Sequence, residues 1–134
     1  MSVSATADIP RVVSLNVCTD QFVMLIADDS QIVSLSEIST DILSSAMAAE
    51  ASKYHQNNSG AEEVYLLQPD IVLAGIYTAK ATVNMLESLG IRVEKFEPAN
   101  TVEQIIGNIK RTGQLLGHTD RANTLVRNFE SKLA

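Results

Sequence analysis

Apolar positions along this chain come in short blocks whose spacing switches between that of a strand and that of a helix. "RVVSL" (11–15), "QIVSL" (31–35) and "DIVLAG" (70–75) are compact β-branched runs, and the third is apolar on both faces, as a central parallel strand is. "IRVEKF" (91–96) alternates, as a strand near a sheet edge does. Between these runs the spacing turns helical. Phe22, Val23 and Ile26 follow a Thr19 suited to capping, while Val83, Leu86 and Leu89 follow Thr78 and stop at Gly90. Thr101 and Gln104 have capping-box spacing ahead of Val102, Ile105, Ile106 and Ile109. Ala122, Leu125, Val126, Phe129 and Leu133 form a last apolar stripe. Residues 61–67 read as a short helix stopped by Gln68-Pro69. Only across 36–60 does the pattern fade, into a helical turn or two and then the polar loop "KYHQNNSG".

This alternation predicts an α/β fold: a Rossmann-like open parallel sheet of four or five strands, flanked by helices and joined by right-handed crossovers. Strands are expected at 11–15, 32–35, 71–74 and 92–96. A chain of 134 residues holds one domain with one core. The opening "MSVSATADIP" is small and polar and predicts a disordered leader over 1–10. It lacks the basic and apolar regions of a secretory signal, which fits a native cytosolic start or a mature exported protein with a starter Met.

Open sheets of this kind bind ligands at the carboxyl ends of their strands, which directs attention to residues 16–20, 36–41 and 75–79 and to the polar stretch at 54–58. None of these loops carries G-x-G-x-x-G, a triphosphate cradle or the hydrolase elbow G-x-S-x-G. A phosphorelay receiver would need an aspartate at the end of the third strand, where this chain has Ala74-Gly75. Cys18 stands at a predicted helix start, a place that activates a thiol, yet the expectation is a small apolar residue packed under the turn. No Cys or His pair has zinc-ligand spacing. His55, beside Tyr54, lines a cleft or is a solvated loop histidine. Tyr77, directly after the third strand, lines a pocket or packs on its own helix. Glu62 and Glu63 fall in a first helical turn, where the macrodipole accounts for them. No catalytic constellation remains, and the chain reads as a binder with no catalytic residues, no metal site and no cofactor.

Net charge is −6 with the basic residues scattered, so nothing resembles a nucleic-acid footprint. No apolar run approaches the roughly 20 residues of a membrane span. The lone cysteine excludes an internal disulfide.

"RVVSLNVCTDQFVMLIADDSQIVSLS", "GAEEVYLLQPDIVLAG" and "LESLGIRVEKFEPANTVEQIIGNIKRTGQLLG", in that order, resemble the amino-terminal lobe of a solute-binding protein for an ABC importer. The class is the helical-backbone one that captures ferric siderophores, cobalamin and haem in the periplasm. The resemblance runs from Arg11 to nearly the end of the chain, and "LLQPDIVLAG" and "LLGHTDRANTL" are its most specific parts. It implies a ligand-binding lobe over 11–118, the start of an inter-lobe helix over 119–134, and a second lobe absent from this chain. It also implies a metal-chelate ligand, an ABC permease of the inner membrane as partner, no enzymatic activity and a periplasmic location reached by a signal peptide absent here. By that resemblance Asn16 to Asp20 form the first cleft loop, with Cys18 a wall residue rather than a nucleophile. By their position after strands, or in the polar loop beside them, the expected ligand-binding residues are Asn16, Cys18, Thr19, Tyr54, His55, Tyr77 and Thr78, around one cleft.

Two departures stand out, the missing second lobe and the transporter-docking position, and the first carries a consequence for the last helix. Each lobe of this class often carries an outward glutamate that docks an arginine of the transporter, and the comparable position after "AGIYTA" is Lys80. The last stripe, from Ala122 to Leu133, should be only partly buried without a second lobe, which predicts self-association through that helix or fraying of its end. Rival readings are a single-lobe sensor or interaction module reusing the fold, and an enzyme acting through Cys18, for which no partner base is apparent. With no Trp, three Tyr and three Phe, the lobe offers few platforms for a porphyrin or corrin face. No arginine cluster stands beside the cleft loops to clamp a catecholate.

Overall fold

A computed structural model describes residues 9–43 and 45–133. Of the leader expected over 1–10, residues 1–8 lie outside the described residues. Five parallel strands form one sheet: β1 (Val12–Ser14), β2 (Ile32–Ser36), β3 (Gln56–Asn57), β4 (Ile71–Gly75) and β5 (Arg92–Phe96), in the order β3-β2-β1-β4-β5. The helices are α1 (Val17–Ile26), α2 (Ala48–Ala51), α3 (Ala61–Leu67), α4 (Lys80–Ser88), α5 (Val102–Leu116) and α6 (Thr119–Leu133). Short 3₁₀ turns flank β2 at Asp29–Gln31 and Glu37–Thr40.

The two-residue period of the strands divides the core into two layers. Val12, Leu35, Ile71, Leu73 and Phe96 point to one face, where Val23 of α1 and Leu116 of α5 cover them. Val13, Val72, Ala74 and Val93 point to the other, under Val64 of α3 and Val83 and Leu86 of α4. β1 and β4 are buried at every position, which is why their sequences are apolar runs rather than alternations.

β3 lies where the sequence predicted loop. Its side chains are polar, so no hydrophobic period marks it. Asn57 is nonetheless fully buried, and its Nδ2 donates to the carbonyls of Ser14 and Leu35 and to Ser34 Oγ at 3.0–3.2 Å. Gln56 Nε2 donates to the carbonyls of Ala51 and Tyr54. Hydrogen bonding rather than apolar burial holds this edge strand in register with Leu35 and Ser36.

Two caps also differ from expectation. α1 begins at Val17, and its N-cap is Asn16, whose Oδ1 accepts from the amides of Cys18 (2.8 Å) and Thr19 (3.2 Å). Asn16 outcompetes Thr19 because a cap side chain must stand before the first turn to reach its free amides. α4 has Ala79 at its N-cap with no side-chain bond, while Thr78 Oγ1 accepts from the amide of Gly75 at 3.0 Å. Thr101 does cap α5, accepting from Gln104 N at 3.1 Å.

α5 and α6 pack as an antiparallel pair around Gly113. A Cβ there would meet His118 O at 3.0 Å and the methyl of Ala122, so only glycine permits this approach. Ala122 and Val126 are accordingly buried, against Ile26 and Ile109. This corrects the expectation of a stripe partly bare throughout: Leu125 and Phe129 are half-buried, and only Leu133, at 56% exposure, stands mostly free. The basis for self-association through α6 narrows to that end. The helix is fixed to the body by a polar hub. Gln31 Nε2 donates to the carbonyls of Pro10 and Leu116, while His118 Nε2 lies 2.7 Å from Gln31 Oε1. Arg121 reaches Ile26 O and Asp28 Oδ1 at 2.8 and 3.0 Å.

Candidate functional site

At the carboxyl ends of β1, β4 and β5 the chain encloses a cavity of about 330 Å³. One wall is the outer side of the first turns of α1, with Asn16, Cys18, Gln21 and Phe22. The loop after β4 gives Ile76 and Tyr77, and the loop after β5 gives Glu97, Pro98 and Ala99. Ile105 and Asn108 of α5 close the remaining side, above Phe96. Gly75 forms the floor beside the Asn16 carboxamide.

The wall is built from the β1–α1 turn. Thr19 is fully buried and bonds Ser14 Oγ at 2.6 Å and Asn16 O at 3.0 Å. Next to it Asp20, also fully buried, accepts from the amide of Ser36 at 3.1 Å and from the Ser36 hydroxyl. Burial pushes the Asp20 carboxyl up to about 6 from 3.8, against the hydrogen bonds from Ser36 and Ser14 that hold it down. These contacts tie α1 to the end of β2, so the cavity wall is rigid from beneath. Thr19 and Asp20 turn inward, which leaves Cys18 on the outer side. Cys18 is exposed, not packed under the turn as a small apolar residue would be.

Asn16, Cys18 and Tyr77 therefore share one cavity. Thr78 stands next to it, occupied by Gly75 N, and Thr19 lies beneath it without reaching it. Tyr54 and His55 are not part of it. Both precede β3, and the Tyr54 hydroxyl donates at 2.7 Å to Asp29, which precedes β2, so Tyr54 belongs to the amino-terminal edge of the sheet. Its pKa is pushed up to about 12 by burial and then by Asp29. His55 Nε2 sits 3.3 Å from Glu63 Oε2, and its carbonyl accepts from Leu35 N and Ser34 Oγ. The two-residue strand decides this: "KYHQNN" reads as a single loop, whereas β3 runs through it and leaves Tyr54 and His55 on its amino-terminal side.

Sequence reasoning missed Gln21, Phe22, Phe96, Glu97, Pro98, Ile105 and Asn108. The signal available for several of them was position: residues 97–101 follow a parallel strand just as 16–20 and 75–79 do. More apolar side chains are exposed in the segment after β2 and in the loop after β4. Ile42 and Leu43 are 82% and 92% exposed and Tyr77 is 84% exposed, with Ile38 and Ile76 also exposed. Neither histidine serves Cys18: His55 is engaged with Glu63, and His118 with Gln31 and Asp28. Among the described residues no cluster of three or more His, Cys, Asp or Glu is arranged for a metal ion, and no helix is long and apolar enough to cross a membrane.

A parallel sheet with a part-apolar cavity at its carboxyl edge is the arrangement of an α/β lobe that holds a ligand at its strand ends. The family model for periplasmic binding proteins matches residues 12–134, and the chain belongs to that family. It is 27% identical over 124 residues to a cobalamin-binding protein of Halobacterium salinarum, covering 92% of this chain and 34% of that protein. A periplasmic haem-binding protein of Pseudomonas aeruginosa superposes with a TM-score of 0.76 at 24% identity, over 93% of this chain and 45% of that one. The periplasmic vitamin B12-binding protein of Vibrio cholerae gives 0.72 at 19% identity, over 92% and 48%. The chain thus spans between a third and a half of the length of these relatives, and the structural likeness is one of fold. Family and fold are those of binding proteins.

Proposed function

We propose that the chain is the amino-terminal lobe of the substrate-binding component of an ABC importer, over 11–118, with α6 the start of an inter-lobe helix over 119–134. In this reading it captures a metal chelate (a ferric siderophore, cobalamin or haem) in the periplasm and delivers it to a permease of the inner membrane, without catalysis. The observation that carries the reading is the apolar carboxyl edge. Tyr77 and Ile76 line the cavity, and Ile38, Ile42 and Leu43 are exposed in the segment that follows β2. Large apolar side chains in water are otherwise disfavoured, and a flat chelate ring covers such a surface well. Asn16, Cys18 and Tyr77, with Thr78 beside them, form the ligand wall in this proposal, and Thr19 supports it from below.

The test is a chemical-shift titration of the ¹⁵N-labelled chain with cyanocobalamin, gallium protoporphyrin (a diamagnetic haem) and a gallium hydroxamate. Saturable shifts for at least one of them at residues 16–22, 75–78 and 96–99, with Asp29 and Tyr54 unmoved, are expected. Shifts confined to the amino-terminal edge, or none with any chelate, would overturn the reading.

A further inference from the structure

The charges around the cavity are distributed unevenly. Glu97 is the one carboxylate on its lining, and among the described residues no lysine or arginine lines it. The other polar lining groups are the carboxamides of Asn16, Gln21 and Asn108 and the thiol of Cys18. Lys95 and Arg111 line a neighbouring hollow of about 350 Å³, which shares Glu97, Pro98 and Asn108 with the cavity. Arg111 is moreover committed there. It bonds Glu94 Oε1 at 2.6 Å and Lys95 O at 2.8 Å, and its guanidinium lies 4.3 Å from the centroid of the Phe96 ring. Glu97 is exposed, and its backbone carbonyl is held by Asn108 Nδ2 at 3.4 Å, which fixes where its side chain starts.

Asn16 adds to this. Its Oδ1 is consumed by the amides of Cys18 and Thr19, so its Nδ2 is the part of the carboxamide free to meet a ligand, beside Gly75. Carboxamides both donate and accept, and they pair with a ligand's amide groups without transferring charge. Carboxylates of a ligand would gain no ionic partner on this wall and would face Glu97.

We propose that Glu97 is a charge filter, making this wall selective for neutral or cationic chelates with carboxamide side arms over chelates with carboxylate side arms. The inference rests on the capture reading above and specifies its ligand class. A ligand carboxylate about 6 Å from Glu97, with an effective dielectric constant of about 40 between protein surface and water, loses roughly tenfold in affinity. Removing the charge removes the loss.

The experiment uses one ring with two kinds of arm: gallium protoporphyrin, with two propionates, and its bis-propionamide. Both are titrated into the wild-type chain, Glu97→Gln and Glu97→Lys, reading the shifts of residues 16–22. Glu97 is exposed, and spectra without ligand confirm that the variants keep the fold. The wild type is expected to bind the diamide roughly tenfold more tightly than the dicarboxylate, Glu97→Gln to bind the two about equally, and Glu97→Lys to invert the order. Equal binding by the wild type, or a preference that survives Glu97→Gln, would overturn the filter and leave the capture reading standing. If neither ring moves residues 16–22 in any of the three proteins while cyanocobalamin does, a porphyrin-shaped ligand is excluded and the filter fails with it. If no chelate moves them, both readings fail.

Discussion

The carboxamide of Asn16 rests directly on the backbone of Gly75, so close that a Cβ at residue 75 would lie within 3.1 Å of Asn16 Cγ and nearer still to its Nδ2. One contact thus joins the cap of the first helix to the end of strand β4, between β1 and β5, at the floor of the cavity. Gly75→Ala must push Asn16 aside and loosen its bonds to Cys18 N and Thr19 N, at an expected cost of about 1–2 kcal/mol, the usual loss of a cap. Asn16→Ala should cost about 1 kcal/mol for the same reason. The two losses overlap, so urea unfolding of the double variant should show less than their sum. Strict additivity would mean that the two residues act independently.

Asp20 makes stability depend on pH in a direction opposite to most carboxylates. Its folded-state value, about 6, lies above the unfolded 3.8, so between them the folded chain holds the extra proton. Its contribution is therefore most favourable below the unfolded value and is lost as pH rises through about 6, then stays constant. The span corresponds to about 3 kcal/mol. Asp20→Asn keeps an acceptor for Ser36 N without the charge. Its unfolding free energy relative to wild type should improve by about that amount between pH 4 and pH 7.5, and a difference that is flat with pH would refute the assignment to Asp20.

Thr19 and Tyr77 should separate in their effects. Thr19→Val leaves Ser14 Oγ and Asn16 O short of a buried partner and should destabilise by about 1–2 kcal/mol, without changing which residues respond to ligand. Tyr77→Ala, at an exposed position, should leave unfolding within about 0.5 kcal/mol of wild type and weaken chelate binding severalfold. Chelate titrations beside urea melts distinguish the two patterns.

Tyr54→Phe tests the separation of the two sheet edges. Loss of the bond to Asp29 should lower stability by about 1 kcal/mol, and chelate affinity should stay as it was. A parallel fall in affinity would return Tyr54 to the ligand wall.

Much of the frame was legible in the amino-acid order. The apolar runs at 11–15, 31–35 and 70–75 and the alternation at 91–96 follow from the strand period and from burial on two faces, and four of the five strands lie within a residue or two of them. Family membership was legible only as a resemblance, carried by "LLQPDIVLAG" and its neighbouring segments in their order. β3 was not legible, since Asn57 and Gln56 are held by hydrogen bonds to Ser14, Ser34, Leu35 and Ala51, partners remote in the chain and invisible to any local period. The exact cap at Asn16 and the inward turn of Thr19 and Asp20 depend on where α1 begins, to within three residues. Helix termini are where local signals are weakest. The cavity was least legible of all. Asn16, Tyr77, Glu97 and Asn108 stand far apart in the chain and meet only because parallel strands deliver successive loops to one edge of a sheet whose order, β3-β2-β1-β4-β5, is set by packing. Local spacing determined which segments become strands and helices; only the tertiary arrangement decided which of their ends face one another.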